Sequence, residues 1–451
     1  MPVRPLPGPP PLRPGHEMNG PSDGVLDLTA IEAQLIDAQF KAFPLTAEAV
    51  PIAAAGAQGW NALRPPFSTP VMVLKDTALT HNIGLMARYC AERRVSLAPH
   101  LKTPLSPQIA ARQLAAGAWG LTVADTRQAA VLRGSGARRI LVANQVVDPA
   151  SARWLADELN TDPALELYCL VDSVAGATLL DEGLAAAGLG RPLAVLIELG
   201  APGGRCGCRS LAEAMAVAAA LRPLRQLRLV GVEAYEGTFP HRADQQTADG
   251  MRQLLNDVRS LAVRLDQAGL LDRAHEILVS AGGSLWFDRV IASLSGGWDL
   301  SRPVRTVLRS GSYVTHDSGE YEQLSPLAGR ASDQRRLRQA LELWSTVISR
   351  PEPGLAVLNF GKRDAALDRG FPVPFQARTA TGRHDLRPPD FAVLSLNDHH
   401  ARLGVPADSA LAVGDLVGSH ISHPCTSFQC WRLVPLVDDA YDVLGAVRTY
   451  L

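Results

Sequence analysis

The sequence predicts an α/β protein in which a (β/α)8 barrel is followed by a mostly antiparallel β domain. Apolar strands alternate with helical segments eight times between residues 69 and 305. Strands that are apolar along their whole length and separated by helices are typical of a parallel sheet buried on both faces. Eight repeats in roughly 225 residues suit a closed barrel better than an open sheet. From residue 306 onward, short strands punctuated by Pro and Gly indicate the β domain.

Composition excludes several classes of protein. The chain has 451 residues, 47% of them hydrophobic, and a formal net charge of -1, as expected for a soluble globular protein of two domains. A net charge this close to zero gives no electrostatic case for binding nucleic acid, and no apolar run is long enough to cross a membrane. The six cysteines are scattered through a large chain, which favours the reducing cytoplasm.

The predicted elements follow one another in a simple order. Residues 1–24 are rich in Pro and Gly and are predicted to be a disordered tail. Residues 25–68 form an accessory helical segment, the barrel spans 69–305, and the β domain with a candidate metal site spans 306–451. In an open doubly wound sheet, a glycine-rich loop that binds a dinucleotide would follow the first strand. This chain has no such loop there. The accessory helices are predicted at 27–40 and 46–55, and the barrel strands at 70–74, 95–102, 120–124, 139–144, 165–171, 193–199, 227–234 and 276–280.

A lysine marks the predicted mouth of the barrel. The strand over 95–102 ends on His100, Lys102 and Thr103, and barrel active sites lie at the carboxyl ends of the strands. A lysine there can have a depressed pKa, so that its free amine condenses with an aldehyde. Taken alone, these three residues are explained better by a surface lysine that extends its amine into water. Polar residues at the ends of other predicted strands, including Arg205 and Tyr235, converge on the same mouth and favour a site.

Two glycine-containing loops predict an anion site at the same mouth. Gly282, Gly283 and Ser284 follow the last predicted barrel strand, where barrels often bind phosphate, although a tight turn explains adjacent glycines equally well. Gly311 and Ser312, with Tyr313 after them, form a second loop of small residues. An amine at one end and an anion site at the other match pyridoxal 5′-phosphate (PLP), which carries an aldehyde and a phosphate on one ring.

A histidine and a cysteine predict a metal site in the β domain. If His423 and Cys425 lie at the end of one strand, a period of two places both side chains on one face. Imidazole and thiolate suit Zn²⁺ or another divalent cation, and two protein ligands leave positions for water or substrate. A buried cysteine beside a structural histidine explains the pair equally well. Cys206 and Cys208 could hold a soft metal, but two ordinary thiols are the favoured interpretation because no second close cysteine pair supports a cluster.

Together these motifs resemble a known family, the fold-type III PLP enzymes that include D-serine dehydratase and D-threonine aldolase. The resemblance runs from about residue 70 to the carboxyl end and is carried by the segments PHLKT at 99–103, GAWG at 117–120, SAGGS at 280–284, RSGSY at 309–313 and SHPCT at 422–426. It is closest to a bacterial branch of amino acid deaminases. It implies an alanine-racemase-like barrel, PLP on Lys102, a metal on His423 and Cys425, and a homodimer with its active site near the subunit interface.

The resemblance also implies an activity and residue roles. Dehydratases of the family carry His-x-Cys with zinc, whereas the aldolases typically carry His-x-Asp, so we expect a PLP- and zinc-dependent D-serine dehydratase that acts on 3-hydroxy D-amino acids. Lys102 is expected to remove the α-proton, Tyr235 to contact the ring nitrogen, and Arg205 to contact the ring hydroxyl or the substrate carboxylate. His100 is expected to line the cofactor site. A D-threonine aldolase and a non-catalytic PLP-binding protein remain alternatives, and a racemase would need a second base that we do not identify.

Overall fold

The computed structural model describes residues 25–242, 244–328 and 335–451, so the predicted disordered tail lies outside the described residues. No helix within these ranges is long and apolar enough to cross a membrane. The strands are β1 (Leu35–Ile36), β2 (Val50–Pro51), β3 (Val71–Lys75), β4 (Ser96–Leu97), β5 (Leu121–Val123), β6 (Arg139–Gln145), β7 (Glu166–Val171), β8 (Leu193–Leu199), β9 (Leu227–Ala234), β10 (Ile277–Ala281), β11 (Val304–Leu308), β12 (Leu341–Glu352), β13 (Leu355–Leu358), β14 (Val373–Thr379), β15 (Gly382–Asp385), β16 (Ala392–Leu396), β17 (Ala401–Gly404), β18 (Leu416–His420), β19 (Leu433–Val437) and β20 (Val443–Arg448). The helices are α1 (Thr29–Glu32), α2 (Asp76–Glu92), α3 (Pro107–Ala115), α4 (Thr126–Arg133), α5 (Pro149–Thr161), α6 (Val174–Ala186), α7 (Leu211–Ala220), α8 (Gln245–Gln267), α9 (Phe287–Leu294), α10 (Glu320–Leu324) and α11 (Pro424–Ser427).

The barrel consists of the eight parallel strands β4 to β11. Neighbours in the chain are neighbours in the sheet from β5 to β11, and β11 pairs with β4. Hydrogen bonds from the Leu101 N–H to the Thr122 carbonyl (2.7 Å) and from the Thr122 N–H to the Pro99 carbonyl (2.9 Å) join the β4 end of the sheet to β5. This bridge closes the barrel just before Lys102, and the predicted fold class is confirmed.

Local sequence signals explain where the barrel helices begin. The helices α3 and α5 start at a proline, which is pre-shaped for the first helical turn and has no N–H to leave unpaired. The side chains of Asp125, Asp148 and Ser173 accept hydrogen bonds from the first turns of α4, α5 and α6, so they satisfy N–H groups that the helix cannot. Each helix therefore begins soon after its strand and packs against the barrel wall.

The β domain consists of one large sheet that is extended by β3, β19 and β20. Strand β3 therefore belongs to the β domain. In the large sheet the order is β15-β14-β18-β12-β13-β17-β16, and β3 pairs antiparallel with β12 and parallel with β19. The prediction that residues 70–74 form the first barrel strand was therefore wrong. All five residues of β3 are buried, so the strand has the same apolar pattern as a barrel strand, and its partners cannot be read from that pattern.

The missing barrel strand is β11, which the sequence analysis did not identify. Its first two residues are only half-buried, and Arg305 lies within it, paired with Glu276 at 2.7 Å. Because the strand begins with half-buried, partly polar residues, the apolar pattern did not reveal it at the predicted boundary between the domains. As a result, the loop over 282–284 follows the seventh barrel strand and the loop over 309–313 follows the eighth.

The segment before the barrel is less helical than predicted. Residues 25–68 contain the four-residue helix α1, the short strand pair β1 and β2, and one 3-10 helix at Ile52–Gln58. The predicted helices at 27–40 and 46–55 are therefore wrong over most of their length. Ile36, Phe43 and Ile52 pack against Leu433 and Ala446 of the β domain. Burial against that domain, rather than helix propensity, shapes this segment.

Candidate active site

The predicted site residues come together around a cavity of about 680 Å³ between the barrel mouth and the β domain. The cavity is reached by the ends of barrel strands and by α11 of the β domain. Parallel strands bring their carboxyl ends to one side of a barrel, which explains why residues distant in sequence meet here. The predicted residues that line it are His100, Lys102, Arg205, Tyr235, Gly283, Ser284, Gly311, Ser312, His423 and Cys425.

Lys102 presents its amine to this cavity. Burial lowers the pKa of Lys102, the nearby Cys425 opposes that effect, and the positive charges of Arg205 and Arg309 lower the pKa further. The amine lies 6.0 Å from the centre of the Tyr235 ring. A lowered pKa increases the fraction of neutral amine, which is the form that attacks an aldehyde or accepts a proton.

His100 and Tyr235 form an uncharged wall near the amine. Burial, followed by the charge of Lys102, lowers the pKa of His100 well below its usual value, so its ring is neutral at neutral pH. Burial also raises the pKa of Tyr235, which keeps its hydroxyl protonated and able to donate. The exposed guanidinium of Arg205 lies 4.8 Å from the centre of the Tyr235 ring, a cation–π distance.

The first glycine loop differs from the predicted anion site. The N–H groups of Gly282 and Gly283 donate to the buried carboxylate of Glu236, at 3.1 and 2.7 Å. Gly282 has φ +103°, a conformation that favours glycine. These two N–H groups are therefore already paired in this structure, and Gly282 does not line the cavity. The backbone N–H of Ser284 donates to no described residue and remains suited to an anion.

The second glycine loop approaches the lysine strand closely. A Cβ added to Gly311 would lie 2.3 Å from the carbonyl oxygen of His100, so a larger residue cannot occupy this position without displacing the backbone. The N–H groups of Gly311 and Ser312 donate to no described residue. By contrast, Tyr313 points away from the cavity, because its buried hydroxyl accepts a hydrogen bond from Gln113 at 2.9 Å. Only the backbone of Tyr313 can contribute to an anion site.

Arg309, which precedes this loop, is a cavity residue that the sequence analysis quoted only as part of a motif. It is 6% exposed, donates to the carbonyl of Ala234 at 3.0 Å, and pairs with the carboxylate of Glu233. Burial, opposed by Arg309, raises the pKa of Glu233 to about 8. Glu233 belongs to no local motif, but an arginine at the end of a barrel strand could have signalled a role at the mouth.

His423 and Cys425 face the cavity from the start of α11. Nδ1 of His423 donates to Asp368 at 2.7 Å, which leaves Nε2 free to bind a metal. The Cys425 thiol lies 3.1 Å from the Thr103 hydroxyl and 3.2 Å from the Ser312 hydroxyl. Burial by itself raises the pKa of Cys425, but His423 and these hydroxyls together hold the pKa below its usual value. A thiol with a lowered pKa beside an imidazole nitrogen fits Zn²⁺, which binds the thiolate form.

A charged cluster that the sequence analysis missed lies at the outer edge of the cavity. Glu320 accepts from Nδ1 of His241 at 2.6 Å and from Nη1 of Arg369 at 3.1 Å. His241 follows β9, Glu320 starts α10, and Arg369 lies on a loop of the β domain, so the cluster joins the two parts of the fold. Asp317, close by, is 2% exposed, and burial raises its pKa to about 6.

A different group of potential metal ligands lies near the ends of barrel strands and does not line this cavity. Asp172, Glu198 and Cys206 each bring one ligand atom within 4.8 Å of the others. Both carboxylates already have partners, since Glu198 accepts from Gln145 at 2.6 Å and Asp172 accepts from the Gly207 N–H at 2.9 Å. The predicted interpretation of Cys206 as an ordinary thiol therefore stays a prediction.

The residues present fit both implied groups. A PLP aldehyde would meet Lys102, and its phosphate would meet the N–H groups of Ser284, Gly311 and Ser312, which line the same cavity and donate to no described residue. The close approach of Gly311 to the carbonyl of His100 places this loop directly beside the strand that leads to Lys102. The N–H groups of Gly311 and Ser312 are buried without a partner among the described residues, and a bound anion would satisfy them.

The chain is similar to known proteins over most of its length. The family model described as "Alanine racemase, N-terminal domain" matches residues 75–302, and the one described as "Putative serine dehydratase domain" matches residues 340–437. D-threonine aldolase from Arthrobacter sp. is 28% identical over 78% of this chain and 85% of its own. 3-hydroxy-D-aspartate aldolase from Paracoccus denitrificans (strain Pd 1222) is 26% identical over 79% of this chain and 86% of its own. The solved D-threo-3-hydroxyaspartate dehydratase from Delftia sp. HT23 shares the fold, with a TM-score of 0.66 and 23% identity over 85% of this chain and 98% of that one.

An alanine-racemase-like barrel followed by a β domain, with a family model matched to each, defines the class of fold-type III PLP enzymes. Within that class, the chain belongs to the family whose alanine racemase N-terminal domain is followed by a serine dehydratase domain. The recognition made from the sequence motifs is therefore confirmed.

Proposed function

We propose that this protein is a PLP- and metal-dependent lyase that eliminates water from D-3-hydroxy amino acids, with D-serine as the simplest substrate. The observation that carries the proposal is that Lys102 and the pair of His423 and Cys425 line one cavity. A base for the α-proton and a cation for the departing hydroxide are the two groups that this elimination needs.

Lys102 serves as the base. Its lowered pKa favours the neutral amine, which can accept the α-proton of a bound substrate. Bound PLP supplies an electron sink for the pair left at Cα. Arg205, exposed at the mouth without a carboxylate partner among the described residues, binds the α-carboxylate and aligns the Cα–H bond with the amine.

His423 and Cys425 hold the metal, for which Zn²⁺ is our assignment. A Lewis acid there stabilises the negative charge on the β-oxygen as it departs. In the balanced reaction, the Cα–H and Cβ–O bonds break and one water leaves. The resulting enamine then takes up one water and gives a 2-oxo acid and ammonia, which for D-serine is pyruvate.

An aldolase is the second candidate, and the similarity to D-threonine aldolase favours it. Such an enzyme would use the same cavity but would remove the proton of the β-hydroxyl and break the Cα–Cβ bond. The thiol at position 425 favours the dehydratase, because a soft ligand suits Zn²⁺, whereas a carboxylate at this position would suit harder ions.

D-threonine as substrate separates the two candidates. A dehydratase converts it to 2-oxobutyrate and ammonia, whereas an aldolase converts it to glycine and acetaldehyde. The purified holoenzyme should form 2-oxobutyrate from D-threonine and pyruvate from D-serine, and the variant Lys102→Ala should form neither. Glycine as the main product would overturn the dehydratase assignment. A protein that binds PLP but converts none of these substrates would be the non-catalytic alternative.

We also propose a homodimer in the cytoplasm. All six cysteines are free thiols, which is consistent with a reducing compartment. The mass of the holoenzyme, measured by light scattering after gel filtration, should be twice that of the 48.1 kDa chain. A monomer that retains full activity would overturn the dimer.

A further inference from the structure

A second cavity lies at the end of the barrel opposite Lys102. It has a volume of about 590 Å³ and lies where strands β9, β10 and β11 begin. Parallel strands bring their amino ends to one side of a barrel, so this cavity faces away from the catalytic mouth. Along β9, Arg228 in this cavity and Tyr235 in the catalytic one are seven residues apart, or about 23 Å. The charged and polar residues that line the second cavity are Arg228, Asp272, Arg273, His275 and Arg302.

The lining of this second cavity carries an excess of positive charge. Its three arginines stand against a single acid, Asp272. None of the three forms an ion pair with a carboxylate of a described residue, whereas other arginines at this end of the barrel do. Arg305 pairs with Glu276 at 2.7 Å, and Arg139 pairs with Glu166 at 2.7 Å. Three like charges around one cavity repel one another, and a bound anion would relieve this repulsion.

The arginines of the second cavity also have donors that no described residue accepts. Nε of Arg228 is buried without an acceptor, although the residue lines the cavity. Arg273 uses only Nη1, which donates to the carbonyl of Leu227 at 3.4 Å. Arg302 is exposed at the rim and donates to no residue within the described ranges. A buried N–H without an acceptor is unfavourable, and a ligand oxygen beside it would remove that cost.

We propose that the second cavity is a ligand site that binds a phosphate group. A carboxylate offers two oxygens and one charge, whereas a phosphate offers three or more oxygens and up to two charges, so that it can engage several arginines at once. The volume of the cavity exceeds that of a phosphate ion and lies within the range of small-molecule sites, which favours a phosphate ester over free phosphate. Because the site lies outside the catalytic cavity, it does not depend on the proposed lyase activity.

Titration calorimetry of the holoenzyme in phosphate-free buffer tests this site, with inorganic phosphate, glycerol 3-phosphate and succinate as probes. We expect one phosphate group to bind per chain, and its dissociation constant to rise roughly 10- to 100-fold in Arg228→Gln and in Arg302→Gln. Because Arg302 is exposed, its variant keeps the test open if Arg228→Gln does not fold. Arg225→Gln is the matched control, since Arg225 is an exposed arginine just before β9 that does not line the cavity. The absorbance of bound PLP should be unchanged in these three variants, which shows that they fold.

The variants also show where a bound phosphate group lies. Weaker binding in Arg228→Gln and Arg302→Gln, with Arg225→Gln and Arg205→Gln unchanged, supports the site. A loss in Arg205→Gln alone would assign the anion to the catalytic cavity, and an equal loss in Arg225→Gln would mean diffuse attraction by charge; either result overturns the proposal, as does a holoenzyme that binds none of the probes. Succinate bound as tightly as glycerol 3-phosphate overturns the preference for phosphate. Tighter binding of glycerol 3-phosphate than of inorganic phosphate supports an ester as the ligand, and the reverse order supports free phosphate.

Discussion

Asp368 is expected to set the metal affinity of the site, although it does not touch the metal. Its Oδ2 accepts from Nδ1 of His423 at 2.7 Å, and its Oδ1 accepts from the hydroxyl of Thr426 at 2.9 Å. Burial raises the pKa of Asp368, but these hydrogen bonds more than offset that effect and hold the pKa below its usual value. Because an ionised carboxylate can only accept, Nδ1 of His423 carries a proton, and a metal would bind this ring through Nε2.

The substitution Asp368→Asn keeps the shape and removes the charge. The amide can still accept from His423 through its oxygen and donate to Thr426 through its nitrogen, so the ring keeps its orientation. The imidazole loses a negative partner, which makes Nε2 a weaker ligand. Loss of such a partner lowers metal affinity about 10- to 100-fold, which corresponds to about 1.4–2.7 kcal/mol.

Competition with a chromophoric zinc chelator measures this affinity directly on the purified protein. Asp408→Asn is the matched control, because Asp408 is an exposed aspartate that does not line the cavity. The absorbance of bound PLP reports whether either variant has lost its fold. The reasoning is refuted if zinc affinity in Asp368→Asn stays within twofold of the native value, or if the control loses as much.

Three further outcomes are expected. Lys102→Ala should abolish the absorbance of covalently bound PLP and lower kcat by at least about 1,000-fold, since it removes both the attachment and the base; spectra and product assays check this, and an active, yellow variant would contradict it. Tyr313→Phe should change the PLP dissociation constant less than twofold, because the hydroxyl bonds to Gln113 and not to the cofactor site. A tenfold loss of PLP affinity in a titration would instead indicate that the Tyr313 hydroxyl contacts the phosphate. Burial lowers the pKa of His420 to about 4, below its unfolded value, so stability present above pH 6.5 should be lost as the pH falls toward 4, by roughly 3 kcal/mol at about 1.4 kcal/mol per pKa unit. Denaturant unfolding at several pH values should show this loss reduced in His420→Phe, which can keep the 4.1 Å stacking on Phe375, and an unchanged slope would contradict it.

The position of the catalytic lysine could be predicted even though one barrel strand was assigned wrongly. Strand β3 was placed in the barrel and β11 was missed, yet Lys102 still lies at the mouth, because every parallel strand ends on the same side. Period and hydrophobicity identify a buried strand but carry no information about its partners. The pairing of β3 with β12 joins positions far apart in the chain and is fixed only by the packing of the whole molecule.

Other features of the site depend on distances that no local pattern contains. Gly282 and Gly283 form the expected turn, but their N–H groups are taken by Glu236, which lies more than forty residues earlier in the chain. The ring of Tyr313 could point either way from a 3-10 turn, and it points into the core. Arg369 lies on an irregular loop without a motif, and only the folded structure shows that its guanidinium contacts Glu320 and His241 at the cavity.

Strand β3 makes the β domain discontinuous in sequence. Its partners β12 and β19 come from the last third of the chain, so the barrel is inserted within a sheet that begins before it and ends after it. During synthesis, the apolar strand β3 emerges early and has no partner strand until more than 250 later residues have left the ribosome and β12 is available. We expect the barrel to fold first and the metal ligands to reach the lysine only when this last pairing closes. A fragment that lacks the residues before α2 would leave β12 and β19 with open edges, and these are edges on which aggregation can start.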